Sequence, residues 1–424
     1  MKRSTQTIRI AAVAAASALV LAACGGGDSE GDGDKKDAPA AKGDGTLTVG
    51  TLLPQTGSLA FLGPPEFAGV DLAVKDINAA GGVLGKDVVH VKGDSGDTDS
   101  GIAPAETDKL LKAKSDVIVG AASSGVSLTV IDKILSAGTV MISPANTSTS
   151  FDEGDYSKPD LYFRTAPSDI LQGAVLANLL IEDGRQNVAI LARQDAYGET
   201  LAKEVAKNLE DAGSKVAANV LYSEKNGPGD SQITEIANAK ADALVLLAFE
   251  ETTTIVPKLI QAGAGPKDVP MYFTDGNTAN YDKGDFPPGT LEGTKGTIPG
   301  ADAGDAFKDR LKGVDPKLKD YTYSAEAYDA TVVAALAAVV AGDDSGEAIA
   351  AEIPDVTGGG EKCDSFEACA ALLEDDTDAD IDYDGASGPI ELGDTGSPTA
   401  ASIGVYQFDK ANQIAPIKFI SGSI

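Results

Sequence analysis

Apolar residues along this chain fall into two alternating patterns, short unbroken runs and longer stretches at helical spacing. In the stretch that gathers the most candidate chemistry, Val117-Ile118-Val119 is closed by Gly120-Ala121-Ala122 and followed by Ser123-Ser124-Gly125, after which Val126, Val130, Ile131, Ile134 and Leu135 recur at helical spacing until Gly138. This predicts a buried strand, a polar turn and a helix. Thr139-Val140-Met141-Ile142 is then the next strand, and Ser143-Pro144-Ala145-Asn146-Thr147 a second polar loop. The alternation begins with a strand over residues 47–53 and a turn-rich loop, Pro54-Gln55-Thr56-Gly57-Ser58, that carries Phe61 and Leu62. Pro64-Pro65 open a helix whose Phe67, Val70, Val74 and Ile77 share one face, and Gly81-Gly82 close it. Beyond an acidic, turn-rich stretch the pattern resumes, with strands expected over residues 161–165, 188–191, 216–222, 242–249 and 271–274 and helices over 168–182 and 198–211. Such alternation predicts α/β architecture with parallel sheets, in which ligands sit beyond the carboxyl ends of the strands.

The first 23 residues follow another logic. Lys2, Arg3 and Arg9 precede an apolar segment over residues 10–22, too short to span a bilayer comfortably and proportioned as a signal-peptide core. The segment ends Leu21-Ala22-Ala23-Cys24 before a run of glycines, which resembles the lipobox of bacterial lipoproteins. The resemblance implies cleavage after residue 23 and lipidation of Cys24, hence an anchor in the outer face of the cytoplasmic membrane. Residues 25–45 hold no apolar side chain larger than alanine or proline and cannot bury enough surface to fold. They are expected to form a tether, which for about 20 flexible residues reaches roughly 25 Å.

Charge and composition narrow the function. The chain carries a formal net charge of −31, and loss of Lys2, Arg3 and Arg9 makes it more negative. Nucleic acid and anionic lipid surfaces, which need clustered Lys and Arg, are excluded as partners. His90 is the single histidine, so no Cys/His zinc cluster exists and any catalytic triad would depend on that one imidazole. No cofactor loop is found either. Pro54-Gln55-Thr56-Gly57 after the first strand is not a dinucleotide turn, and Ala80 stands where a phosphate loop before Lys86 needs its first glycine. No enzyme activity and no cofactor are expected. Cys363 and Cys369, close together in an exported chain, are expected to form one disulfide, and they lack the C-x-x-C spacing of a redox pair. Asp380, Asp382, Asp384, Gly385 and Glu391 match a calcium-loop pattern, but Gly388-Pro389 and Ser387 favour a turn and a strand over an incoming helix. No metal site is assigned.

Several segments in order, Leu53-Pro54-Gln55-Thr56-Gly57, Asp76-Ile77-Asn78-Ala79-Ala80-Gly81-Gly82, Met141 to Thr147, Tyr162-Phe163-Arg164-Thr165, Tyr197-Gly198 and Asp275-Gly276, resemble the branched-chain amino acid class of periplasmic substrate-binding proteins. The likeness runs from about Leu47 to the C-terminus. It implies two doubly wound parallel-sheet lobes joined by a three-stranded hinge, with residues 46–165 plus 295–395 in lobe 1 and 166–294 plus 396–424 in lobe 2. The crossings are expected over residues 164–167, 293–299 and 393–398, the last followed by strands over 402–408 and 414–420.

The same resemblance implies a monomer that captures leucine, isoleucine or valine by cleft closure and delivers it to an ABC permease. Ser124 and Thr147 would hold the ligand carboxylate, the carbonyl of Ala145 and the carboxylate of Asp275 its ammonium, and Phe61, Leu62, Tyr197 and Phe249 its side chain. Two points stay open at this level. Glu250 could stand where Phe249 is placed, and a binder of amides, urea or small aromatic acids, or a ligand-sensing partner of a receptor, would use the same scaffold.

Overall fold

The computed structural model of the protein describes residues 42–156, 160–375 and 379–424; the expected signal peptide, Cys24 and nearly all of the tether lie outside them. The apolar runs become strands and the periodic stretches helices. β1 (Thr48–Leu53), α1 (Gly63–Ala79), β2 (Val89–Asp94), α2 (Ile102–Lys112), β3 (Val117–Gly120), α3 (Ser124–Ser136), β4 (Val140–Ser143) and β5 (Tyr162–Arg164) build a parallel five-stranded sheet in the order β2-β1-β3-β4-β5. All residues of β1, β3, β4 and β5 are buried, as expected of strands covered by helices on both faces.

The second lobe repeats this plan. α4 (Asp169–Glu182), β6 (Asn187–Arg193), α5 (Ala196–Asp211), β7 (Lys215–Tyr222), α6 (Asp230–Asn238), β8 (Ala243–Leu247), α7 (Thr252–Gln261), β9 (Met271–Phe273) and β10 (Lys295–Pro299) follow in order. The chain then returns to the first lobe through α8 (Gly304–Lys312), α9 (Ser324–Ala341), α10 (Gly346–Val356), β11 (Glu361–Cys363), α11 (Phe366–Asp375), β12 (Ile381–Gly385) and β13 (Gly388–Pro389), and finishes with β14 (Ala400–Phe408) and β15 (Ile414–Ser423). The second sheet runs β15-β14-β10-β9-β8-β6-β7; it is parallel from β10 to β7, and β14 and β15 add an antiparallel edge. α9 is apolar on nearly every face and accordingly sits inside the first lobe's core. α1 lies so close to it that a Cβ on Gly69 would fall 2.2 Å from the Ser324 carbonyl oxygen.

Among the described residues the chain passes between the lobes three times. The first passage follows β5. For the second, residues 295–299 were assigned to a crossing and to lobe 1, but they hydrogen-bond as β10 between β9 and β14 in the second sheet. A segment paired on both edges cannot serve as a linker, so the crossing falls over residues 300–303. The third passage, around residues 393–397, is tied to the first by Arg164. Its N–H donates to the Gly396 carbonyl at 3.0 Å, and its Nε donates to Ser397 Oγ at 2.8 Å. The fully buried guanidinium also reaches the carbonyls of Asn146 and Ser148 at 3.2 and 2.9 Å and pairs with Asp152.

Several buried carboxyls set the response to pH. Burial pushes Asp116 up to about 7 and Glu326 and Asp169 up to about 8. Each binds its proton more tightly in the folded chain than in the unfolded one, where carboxyls titrate near about 4. Their contribution to stability is therefore complete below the unfolded value and is lost as pH rises through the folded values. Asp71 and Asp183, held low against their burial by hydrogen bonds and lysines, and Asp94, held low by Thr56 and neighbouring backbone N–H groups, act in the opposite sense below the ordinary carboxyl range. The melting temperature is expected to peak at about pH 4 and to fall as pH rises toward about 8. Glu326→Gln should flatten that fall; a profile unchanged by the substitution would contradict the assignment.

Candidate ligand cleft

Both sheets share one order. In the first it is β2-β1-β3-β4-β5, and in the second, numbered from β6, the same 2-1-3-4-5 sequence reads β7-β6-β8-β9-β10. The strand order reverses between β1 and β3 and between β6 and β8, and ligands bind where the loops at such a reversal diverge. The loops after β1 and β3 supply Leu59, Leu62, Ala122, Ser123 and Ser124; those after β6 and β8 supply Tyr197 and Phe249. Ala145 after β4, Asp275 and Gly276 after β9, and Tyr323 before α9 complete the wall of one narrow space, with a cavity volume of only about 10 Å³ between the closed walls.

Asp275 dominates its chemistry. The carboxylate is buried, Oδ1 accepting from Gln172 Nε2 and from the Tyr197 hydroxyl at 2.8 Å each, and Oδ2 accepting from the Tyr323 hydroxyl at 2.8 Å. Burial raises its pKa, and the bonds from Gln172, Tyr323 and Tyr197 pull it back toward the ionised form. No Lys, Arg or His pairs with it among the described residues. The Asp275 backbone N–H adds a fourth neutral donor, so the carboxylate is held by dipoles alone. Tyr323 reaches it from a left-handed backbone conformation, φ +59°, rare for a bulky side chain and costing about 1–3 kcal/mol.

At the other end lies the start of α3. Ser123 caps it, its Oγ accepting from the Val126 N–H at 3.4 Å, and the N–H groups of Ser124 and Gly125 in the first turn have no acceptor among the described residues. Ser124 Oγ accepts from the Ser148 N–H at 3.4 Å, leaving its own proton free to donate. Free N–H groups at a helix N-terminus favour an anion. The cleft thus has an anion-accepting end in one lobe and an anionic side chain in the other.

The flat wall between these ends is aromatic and held rigidly. Tyr197 and Phe249 stack at 5.4 Å between ring centroids, and the guanidinium carbon of Arg193 lies 3.4 Å from the Phe249 centroid on the ring's other contact. Gly276 is required here, because a Cβ at that position would meet the Phe249 ring at 2.6 Å.

Of the site residues expected from sequence, Leu62, Ser124, Ala145, Tyr197, Phe249 and Asp275 meet on this wall. Phe249 lines it and Glu250 does not; Glu250 lies with Phe61 on a neighbouring cavity at the cleft mouth. Thr147 is also off the wall: its buried hydroxyl faces the Asp169 carboxyl, and its carbonyl accepts from the Asp169 N–H at 2.7 Å. Leu59, Ser123, Gly276, Tyr323 and, behind Asp275, Gln172 were not foreseen. The only signal for Tyr323 was an aromatic just before a long apolar helix.

The remaining candidates lie away from this wall. His90 sits between Asp71 and Thr51 in the first lobe, at 2.9 and 3.0 Å. Cys363 and Cys369 are joined in a disulfide. In the calcium-loop pattern, β12 and β13 form an antiparallel pair, and Lys362 Nζ stands at 2.8 Å from Asp382 and 3.0 Å from Asp384, a cation already in place. Among the described residues no group of three or more metal-ligating side chains occurs.

Two like lobes, a three-segment hinge and a small polar-ended cleft between them define a bilobal ligand-binding protein. The chain belongs to the periplasmic binding protein family, which matches it over residues 46–410. It is 28% identical over 370 residues, 82% of this chain and 83% of the relative, to the chemotactic signal transduction system substrate-binding protein BasB of Halobacterium salinarum. It is 26% identical to the Leu/Ile/Val-binding protein BraC3 of Rhizobium johnstonii, over 89% of this chain and 95% of that one. Among solved structures, LivJ of Streptococcus pneumoniae in complex with isoleucine superposes with a TM-score of 0.71 at 20% identity, covering 89% of this chain and all of the other. An R. palustris solute-binding protein in complex with benzoate superposes with a TM-score of 0.69 at 18% identity, covering 90% and 98%. The fold is that of a substrate-binding protein, and the family places it outside the cytoplasm.

Proposed function

We propose that the protein captures an α-amino acid with a branched aliphatic side chain, leucine, isoleucine or valine, and delivers it to the membrane permease of an ABC importer while held to the membrane by lipid on Cys24. The observation that carries this reading is Asp275, a buried carboxylate that receives only neutral donors and has no cation beside it among the described residues. An ammonium is the complement such a group lacks, and a charge-assisted hydrogen bond is about twice as strong as a neutral one. The ligand carboxylate goes to Ser124 and to the first N–H groups of α3, while Thr147, whose hydroxyl faces Asp169, supports the neighbouring loop. The Ala145 carbonyl assists the ammonium, and Leu62, Tyr197 and Phe249 enclose the side chain, with Phe61 at the mouth.

Micromolar affinity corresponds to about −8 kcal/mol. Three or four charge-assisted bonds at about 1.5–3 kcal/mol each and about 2 kcal/mol for a buried aliphatic side chain exceed that before ordering costs. Because one methylene is worth only about 1–3 kcal/mol, the three branched-chain amino acids are expected to bind within a narrow range of one another. An aromatic acid brings no ammonium to Asp275 and is disfavoured. The likeness to BasB supports a second use of the same binding step, presentation of the closed form to a receptor.

A thermal-shift and calorimetric panel on the body from residue 45 onward tests the proposal. Leucine, isoleucine and valine should stabilise it with micromolar or tighter affinity and compact it in small-angle scattering; stabilisation by benzoate or simple amides alone would overturn the assignment.

A further inference from the structure

The pocket wall is linked to the opposite lobe through a buried arginine that packs on one of its aromatic rings. Arg193, at the end of β6, makes ion pairs with three carboxylates: Nε with Asp195 at 2.6 Å, Nη1 with Glu251 at 2.9 Å and Nη2 with Glu224 at 3.0 Å. Asp195 is also the N-cap of α5, accepting from the Gly198 N–H at 2.8 Å, so it fixes the helix start that carries Tyr197. The guanidinium packs on Phe249. Both aromatic walls are therefore seated on one side chain. Glu224 continues the chain outward: its second oxygen, Oε1, accepts from the hydroxyl of Thr98 at 2.8 Å, and Thr98 belongs to the first lobe, between β2 and α2. The Thr98 methyl packs at Gly125 in the first turn of α3, beside the anion-accepting end.

We propose that Thr98 and Glu224 form a latch across the cleft and that Arg193 is the positioning residue that passes its state to Phe249 and Tyr197, so that a threonine outside the ligand cavity sets ligand affinity. The proposal rests on the reading of the cleft as one that closes on its ligand. The Thr98–Glu224 bond joins different lobes, so it exists only when they are closed. A contact made only in the closed state adds its free energy to ligand binding, because the ligand selects that state. It differs from the solvent-exposed Asp99–Lys225 pair beside it, at 3.3 Å, which salt screens and which ends on no pocket residue.

The test is Thr98→Val, which keeps the shape and removes the donor. Leucine should bind about tenfold more weakly, the size of one hydrogen bond to a charged group, with faster dissociation, unchanged association and an unchanged ligand-free melting temperature. Thr98→Ser should restore binding. Glu224→Ala should show a similar loss, and adding Thr98→Val to it should cost nothing more. Wild-type affinity and dissociation in Thr98→Val, or losses that multiply in the double variant, would overturn the latch. A wild type that does not bind leucine would instead sink the functional assignment, and the latch would then be read with whichever panel compound stabilises the wild type.

Discussion

Replacing Asp275 by asparagine is expected to weaken leucine binding by about thirtyfold or more while leaving the ligand-free protein folded. Removing one member of a buried, hydrogen-bonded charge pair costs about 2–5 kcal/mol, and about 1.4 kcal/mol is a factor of ten. The isosteric change keeps the cavity size, so lost affinity reports lost charge rather than lost packing. Before ligand arrives this carboxylate is buried opposite neutral donors only, from Gln172, Tyr197 and Tyr323, and burial already raises its pKa. Neutralising it should therefore leave the ligand-free melting temperature within a few degrees of wild type. Calorimetry and thermal melting on the same preparation separate the two effects. Equal leucine affinity in both proteins would remove the argument for an amino acid.

The second large effect lies at the hinge. Arg164→Ala is expected to destabilise the fold by about 3–5 kcal/mol, the cost of stranding a partner of a buried ion pair. Asp152 would keep only the hydroxyls of Ser168 and Ser397, at 2.6 and 2.9 Å. The Asn146 carbonyl would lose its donor at the same time and the Ser148 carbonyl would keep only the Phe151 N–H, loosening the loop that carries Ala145 and Thr147. Urea unfolding measures the loss, and adding Asp152→Leu should recover part of it, because the stranded charge is then removed. A single variant as stable as the wild type would show that Arg164 does not tie the crossings together.

Much of this was readable in the chain because burial on both faces of a parallel sheet leaves a plain mark. The runs that became β1, β3, β4, β6, β8 and β9 are nearly continuous apolar segments closed by small polar residues, and the ligand loops follow them directly. Asp275 and Phe249 could be placed because each stands just past such a run. β10 could not: Lys295-Gly296-Thr297-Ile298-Pro299 has one large aliphatic side chain, and its place in the sheet comes from backbone pairing with β9 and β14. Tyr323 was invisible for a different reason. Its role depends on a left-handed backbone turn at the head of α9 and on the return of the chain from the other lobe. Thr147 shows the converse. Its loop was correctly placed, but loop position does not say which way a hydroxyl faces, and here Asp169 lies beside it.

A calorimetric comparison of leucine with 4-methylpentanoate, the same skeleton without its amine, most directly tests whether the ligand's two charged ends are what bridge the lobes. The account requires the acid to bind at least about thirtyfold more weakly than leucine, because the start of α3 would still receive its carboxylate while Asp275 would be left facing a methylene. If the two bound equally well, the ammonium would have no role in capture, and the part assigned to Asp275 would be contradicted.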